Sequence, residues 1–144
     1  MAITTALCTT FKVALLNGEM DFSSDTSQTF KIALYTSDAT LNASTTAYSA
    51  TNEASGTGYT AGGEELTIAV NPTADGTTAY IGFSDVTWNS ASFTARGALI
   101  YKADGATNPA VAVLDFGADQ TVSTGNFTVQ LSAVGAGNPV LQIA

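Results

Sequence analysis

Apolar and polar residues alternate along most of the chain, which is the pattern of β-strands that turn one face to a core. The period of two is regular in the first strand candidate, with Phe30, Ile32 and Leu34, in the second, with Leu66, Ile68 and Val70, and in the sixth, with Phe127, Val129 and Leu131. Further strands are predicted at 80–83, 93–101, 111–116 and 140–143. The pattern therefore predicts a chain made mostly of short strands.

One segment near the start has a helical period instead. Phe11, Ala14 and Leu15 recur at the spacing of a helix face, and Asn17-Gly18 follows them. Glycine is the preferred residue just past a helix end. We predict a helix over about residues 9–17, preceded by a loose arm, so that 1–18 form an N-terminal arm and short helix.

Turn-forming residues separate the predicted strands. Asn71-Pro72 and Asp75-Gly76 lie between the second and third strands, and Asp104-Gly105 lies between the fourth and fifth. Asp-Gly favours a tight turn because both residues tolerate positive φ. The run at 123–126, Ser-Thr-Gly-Asn, indicates a bulge or a turn within the sixth segment.

Residues 37–63 have no sustained period and are rich in Thr, Ser, Ala and Gly, so we predict a long surface excursion with a short edge strand near Tyr48. Short strands joined by turns predict an all-β fold, either an antiparallel β-sandwich (jelly-roll-like) or a barrel, with one short N-terminal helix. The length of 144 residues suits a single domain, 1–144.

The charge pattern excludes some partners. The formal net charge is -8, from 12 acidic and 4 basic residues. The basic residues are scattered, whereas nucleic acids and anionic membranes require clustered cations; they are Lys12, Lys31, Arg96 and Lys102. We therefore predict no nucleic-acid partner and no membrane partner. No run approaches the roughly 20 apolar residues of a membrane span, and residues 1–10 lack the basic region of a signal peptide.

The residue types leave little material for catalysis. The chain has no histidine and one cysteine, Cys8, which removes the usual activated nucleophiles, an intrachain disulfide and a tetrahedral zinc site. The acidic residues that could pair for acid–base chemistry lie in predicted turns, except Asp115 at a strand end; they are Glu53, Glu64, Glu65, Asp85, Asp115 and Asp119. We predict that the chain is not an enzyme and has no catalytic, cofactor-binding or metal-binding residue.

Three weaker signals have structural explanations. Carboxylates that could bind calcium lack the spacing of a calcium loop; they are Asp21, Asp25 and Asp38. Gly56-Thr57-Gly58 and Gly62-Gly63 do not fit a phosphate-binding loop, so we interpret them as turns and a bulge. Exposed tyrosines could bind sugar, but aromatic residues of a β-sandwich more often pack in the core, where we place Trp88.

Five stretches resemble a family of small virion structural proteins of tailed bacteriophages. They are 11–18 (FKVALLNG), 30–36 (FKIALYT), 56–63 (GTGYTAGG), 93–101 (FTARGALIY) and 112–117 (AVLDFG). The resemblance covers about residues 10–132 in order and spacing, and none of its motifs marks a catalytic act. Residues 132–144 match least well.

The resemblance implies a role in the virion, assembled in the cytoplasm of the bacterial host. The implied function is a capsid decoration or cement protein whose partners are the major capsid protein and copies of itself, as a homo-oligomer. The alternative is a tail or fibre component that binds a receptor or carbohydrate. We also expect the N-terminal arm to be ordered by a neighbouring subunit rather than by its own domain.

Overall fold

Two antiparallel sheets form the fold in the computed structural model, which describes residues 2–131 and 140–144. The larger sheet has the strand order β1 (Ala6–Leu7), β7 (Ala110–Val129), β6 (Val86–Lys102), β2 (Phe30–Tyr35) and β3 (Glu64–Glu65). The smaller sheet has the order β4 (Ile68–Asp75), β5 (Thr78–Phe83) and β8 (Leu141–Ile143). In the described part of the chain, one helix, α1 (Thr9–Leu16), connects β1 to the segment before β2.

Both sheets are open, because each ends in two edge strands: β1 and β3 in the larger, β4 and β8 in the smaller. The predicted all-β fold with one short helix is confirmed, and the barrel alternative is wrong. Side chains of the two sheets belong to one hydrophobic cluster. Phe22 joins them, since its ring stacks on Phe30 of β2 at 4.5 Å and meets Phe83 of β5 edge to face at 6.4 Å.

A long hairpin is the centre of the larger sheet. β6 has 17 residues and β7 has 20, so the predicted fifth and sixth strands are parts of one strand. Gly97 pairs with Asp115 but Ala95 pairs with Gln120, which leaves extra residues of β7 in a bulge. A second shift lies near Gly125, so that the glycines and serines of β7 mark bulges rather than turns.

The turn predicted at Asn71-Pro72 is wrong, because both residues lie inside β4. β4 is an edge strand, and its register shifts between Val70 and Thr73, where proline cannot donate to the ladder. The turn that joins β4 to β5 is at Asp75-Gly76, and Gly76 has φ 61°.

The expectation of a loose N-terminal arm is also wrong. β1 pairs with Ala112 and Val113 of β7, and the Cys8 N–H donates to the Val111 carbonyl at 2.9 Å. The side chain of Ile3 is buried, and it approaches the backbone where Gly97 has no Cβ. Its own sheet therefore orders the arm, and no neighbouring subunit is needed for that purpose.

Residues 37–63 cover the larger sheet rather than extending from it. Ala39, Leu41 and Ala54 are buried, and the predicted strand near Tyr48 is reduced to an isolated bridge between Ala47 and Pro109.

The helix prediction of about 9–17 is confirmed within one residue, with Asn17 as the C-cap.

Candidate functional site

A carboxylate and its hydrogen-bond donors form a polar cluster between the 37–63 segment and the larger sheet. Glu53 accepts three hydrogen bonds: Tyr59 Oη at 2.6 Å and the Gly62 N–H at 2.8 Å donate to Oε1, and Tyr48 Oη at 2.7 Å donates to Oε2. Tyr59 Oη also accepts from the buried Leu34 N–H of β2 at 2.9 Å. The cluster thus connects the 37–63 segment to the larger sheet.

Two further tyrosines come from the sheet itself. Tyr35 of β2 donates to the Ser49 carbonyl at 2.7 Å, and Tyr101 of β6 donates to the Gly62 carbonyl at 2.7 Å. The Tyr101 ring stacks on Tyr48 with ring centroids 4.8 Å apart. Each phenol therefore holds one point of residues 37–63, which we name the covering segment, against the larger sheet.

The electrostatics of the cluster favour a structural role. Burial raises the pKa of Tyr35, Tyr48, Tyr59 and Tyr101, and the Glu53 carboxylate beside them raises each further. Protonated phenols at neutral pH act as donors, and both oxygens of Glu53 are occupied by those donors. The arrangement crosslinks the backbone, with three of the roughly four acceptor sites of the carboxylate used by the protein itself.

The other carboxylates considered from the sequence are held by separate neighbours. Asp115 Oδ1 accepts from the Gly117 N–H at 2.9 Å and from Arg96 Nε at 3.0 Å, and these contacts lower its pKa. Asp85 accepts from the Leu131 N–H at 2.8 Å. Asp119 is exposed in β7, and the adjacent pair Glu64–Glu65 forms the edge strand β3 instead of the predicted turn.

The structure does not assemble the three aspartates considered for calcium. Asp21 Oδ1 accepts from the Ser23 N–H at 2.9 Å and from Ser23 Oγ at 2.7 Å, and these bonds lower its pKa. Asp25 and Asp38 are exposed. Over residues 2–131 and 140–144 there is no group of three or more His, Cys, Asp or Glu side chains placed to hold a metal ion.

Cys8 is buried. Its Sγ lies 3.8 Å from the Asn42 carbonyl oxygen, and burial raises the pKa of the thiol to about 11. A thiol of that pKa is almost entirely protonated at neutral pH and is a poor nucleophile.

The glycines within residues 56–63 allow this segment to pack closely against the backbone of the larger sheet. Gly56 and Gly58 have positive φ and lie against the backbone of β6, where a Cβ on Gly58 would be 2.9 Å from Ala91 Cα. Gly63 has φ +78° and lies against the Ile32 carbonyl of β2. Thr57 pairs with Ser92 between these close approaches. The motif therefore places the covering segment on the sheet.

The aromatic residues are mostly internal. Trp88 is buried as predicted, although it lies within β6, and it packs against Tyr59, Phe93 and Phe127. Its Nε1 is the buried side-chain polar atom that lacks a hydrogen-bond partner among the described residues. Every large hydrophobic side chain with high exposure in the described chain is aliphatic. The one tyrosine outside the Glu53 cluster, Tyr80 of β5, is partly exposed. A single partly exposed ring is not the face of two or three aromatic residues that a sugar site needs.

An apolar groove of about 690 Å³ opens between α1 and the smaller sheet, and we name it the α1–β8 groove. Phe11 and Leu15 line it from α1, and Ile81, Leu141 and Ile143 line it from β5 and β8. Asp21 is the charged residue among the groove's described lining. The groove is therefore a site for apolar contact rather than for polar chemistry.

The exposed hydrophobic residues lie on the two elements that border this groove. In the described chain they are Leu16 at 89%, Ile143 at 60% and Val13 at 54% exposure. On α1, the buried residues are Ala14 and the groove-lining Phe11, whereas Val13 and Leu16 lie on the other side of the helix and outside the groove's lining. A helix that is apolar on both sides indicates contacts on both sides. The sequence of α1, TTFKVALL, has apolar residues on both sides of the helix. The spacing of Phe11, Ala14 and Leu15 predicted only the side that is buried.

Neither a protein-family model, nor a curated protein, nor a solved structure shows significant similarity to the chain. None of the helices in the described residues is long and apolar enough to cross a membrane. The site must therefore be interpreted from its own geometry.

Proposed function

We propose that the chain is a structural protein of a tailed-bacteriophage virion, acting as a capsid decoration or cement protein that stabilises the lattice of the major capsid protein. The observation that carries the proposal is the apolar surface that the described residues leave exposed, namely the α1–β8 groove with Ile143 in its lining and, separately, Val13 and Leu16 on α1. Surfaces of this kind mark contacts with other macromolecules, because exposed apolar area is costly to leave in water.

The sequence resemblance supports the same proposal. Its five stretches contain most of α1, all of β2, residues 56–63 of the covering segment and the paired parts of β6 and β7. These are the elements that build the larger sheet and one wall of the groove. The stretches that carry the resemblance therefore determine packing and surface shape, as expected for a structural protein that acts by binding its neighbours.

The internal position of the aromatic residues favours the cement role over a carbohydrate-binding tail tip. A sugar site needs aromatic rings on an exposed face. Here Tyr35, Tyr101 and Trp88 are buried, and Tyr48 and Tyr59 are engaged by Glu53. Tyr80, the remaining tyrosine, is a single partly exposed ring in the lining of the α1–β8 groove. A cement protein needs no such face, and many copies on a lattice let modest contacts add, each about 1,600 Å² in total at the standard size.

Self-association remains part of the proposal on the ground of open sheet edges. The larger sheet ends at β1 and β3, and the outer part of β7 beyond β1 is an additional strand edge. Edges of this kind are usually covered or paired. The earlier ground, an arm ordered by a neighbour, no longer applies, because β1 packs within its own sheet.

The proposal is tested on particles that lack the protein. Particles from a phage with the gene deleted are heated beside wild-type particles, and genome release is followed with a dye that fluoresces on DNA. We expect release at a lower temperature without the protein, and recovery when purified protein is added back. Particles that are equally heat-resistant but fail to adsorb to the host would favour the tail or fibre alternative.

A further inference from the structure

We propose that the α1–β8 groove binds a segment of another protein that presents apolar side chains flanked by lysine or arginine. This inference rests on the proposed function, within which the segment belongs to the major capsid protein. It adds the binding surface and the chemistry of the bound segment, neither of which the resemblance supplies.

The shape and lining of the groove determine the apolar part of the proposal. Its volume of about 690 Å³ is large enough for several side chains. Phe11, Leu15, Leu141 and Ile143 face it from two sides. Ile143, which lines the groove, is 60% exposed. A segment with two or three apolar anchors would cover this exposed lining.

The charges around the groove determine the flanking residues of the segment. Asp21 is the charged residue among the groove's described lining, and it is a carboxylate. The chain as a whole has 12 acidic and 4 basic residues and a formal net charge of -8. A carboxylate on the groove within a strongly acidic chain attracts cationic flanks.

The net charge argues against a second copy of this chain as the occupant. Each copy carries -8, and two identical grooves facing each other would bring the same carboxylates together. Like charges at an interface disfavour the wrong partner and slow encounter. A different protein with basic residues beside its apolar anchors has the complementary pattern.

A synthetic peptide series tests the chemistry directly with the full chain. The probe peptide has a centre of leucine, phenylalanine and alanine with two lysines at each end. One control peptide has glutamates at the ends, and another keeps the lysines but has serine in place of leucine and phenylalanine. Binding is measured by calorimetry, and the contacted amides are mapped by NMR.

We expect binding of the lysine-flanked apolar peptide at least about tenfold tighter than either control, which is about 1.4 kcal/mol. Affinity should fall by several-fold when salt rises from about 0.05 to about 0.5 M, because screening shortens to a few Å. The shifted amides should lie in α1 and β8. Equal binding of the lysine and glutamate peptides would overturn the proposed chemistry, and no binding at about 1 mM peptide would overturn the site.

Two variants test the location. Ala79→Lys places a long cation into the groove from an exposed strand position, and Ala118→Lys makes the same charge change on β7, away from the groove. Ala79→Lys should weaken binding about tenfold and Ala118→Lys less than about twofold. Ile143→Gln changes a groove-lining side chain that is 60% exposed, so it tests the site with little folding penalty. Unchanged binding in both Ala79→Lys and Ile143→Gln would place the peptide elsewhere and refute the assignment.

This experiment is independent of the particle experiment. Peptide binding at the groove together with heat-resistant particles lacking the protein would retain the site and reject the cement role. Loss of heat resistance without peptide binding would retain the cement role and reject the groove as its contact surface.

Discussion

Replacing Glu53 with alanine removes the acceptor that joins the covering segment to the larger sheet. Three donors then lose their partner: Tyr48 Oη, Tyr59 Oη and the Gly62 N–H. Tyr48 is partly exposed, so water can replace one bond at little cost. Tyr59 and Gly62 are partly buried, so water replaces their lost acceptor less completely. Each then adds part of the free-energy cost of a buried donor without an acceptor.

The magnitude follows from these three bonds. A hydrogen bond to a charged group contributes about 1.5–3 kcal/mol, and an unsatisfied buried donor costs about 1–3 kcal/mol. Discounting Tyr48 for exposure, we expect Glu53→Ala to lower the free energy of unfolding by about 3 kcal/mol. Glu53→Gln keeps an acceptor for Tyr59 and Gly62, and Tyr48 can accept from the new amide. The loss is then limited to the charge, about 1 kcal/mol.

Urea unfolding followed by the fluorescence of Trp88 measures both values, since Trp88 is the single tryptophan and its ring lies 6.1 Å from that of Tyr59. A double-mutant cycle with Tyr48→Phe isolates the pair energy. The reasoning fails if Glu53→Ala and Glu53→Gln have the same stability as the wild-type chain. It also fails if Glu53→Ala is no worse than Glu53→Gln, because the acceptor itself would then be unimportant.

Four further predictions concern single features. Gly63→Ala should lower the free energy of unfolding by about 3 kcal/mol or more, because Gly63 has positive φ and contacts the Ile32 backbone. Gly18→Ala, with a similar φ but open space around it, should lower it by about 1 kcal/mol in the same urea assay. Equal losses would contradict the importance of the close approach at Gly63. Cys8 should not react with a thiol reagent at pH 8 until urea is added, since burial raises its pKa to about 11; fast reaction of the native chain would refute its burial. Asp104 accepts backbone hydrogen bonds that lower its pKa to about 2. The stability that its carboxylate adds is therefore present above about pH 4 and is lost as the pH falls toward 2. A carbon-13 titration of the Asp104 carboxyl with a midpoint near pH 4 would contradict this prediction. Deleting residues 2–8 should destabilise the domain by about 3 kcal/mol or more, through loss of β1 and of buried Ile3; an unchanged urea midpoint would restore the loose-arm interpretation.

The strands could be predicted from the sequence where alternation was regular, and their lengths could not. β2 lies at the predicted position, and β5 and β8 lie within two residues of it. Gly117 and Gly125 have the chemistry of turns, yet they are accommodated as bulges because β6 continues beside them and supplies hydrogen bonds. Local turn propensity cannot report on a partner strand that is distant in sequence.

The N-terminal arm shows the same limit in another form. Residues 2–8 have no pattern that holds them alone, and their order comes from β7 and from the space that Gly97 leaves for Ile3. A glycine within a strand signals close approach of another backbone or side chain, but it does not identify which one. The groove could not be predicted either, because α1 and β8 lie near opposite ends of the chain and line the same groove only in the folded molecule.

The central claim is tested most directly by counting and locating this protein in purified virions. Quantitative mass spectrometry gives its copy number relative to the major capsid protein, and cryo-electron microscopy of the same particles gives its position. The cement role predicts a copy number comparable to that of the major capsid protein and density on the capsid surface, with α1 and β8 turned toward the shell. A copy number far below that of the capsid protein, with density confined to the tail, would contradict it.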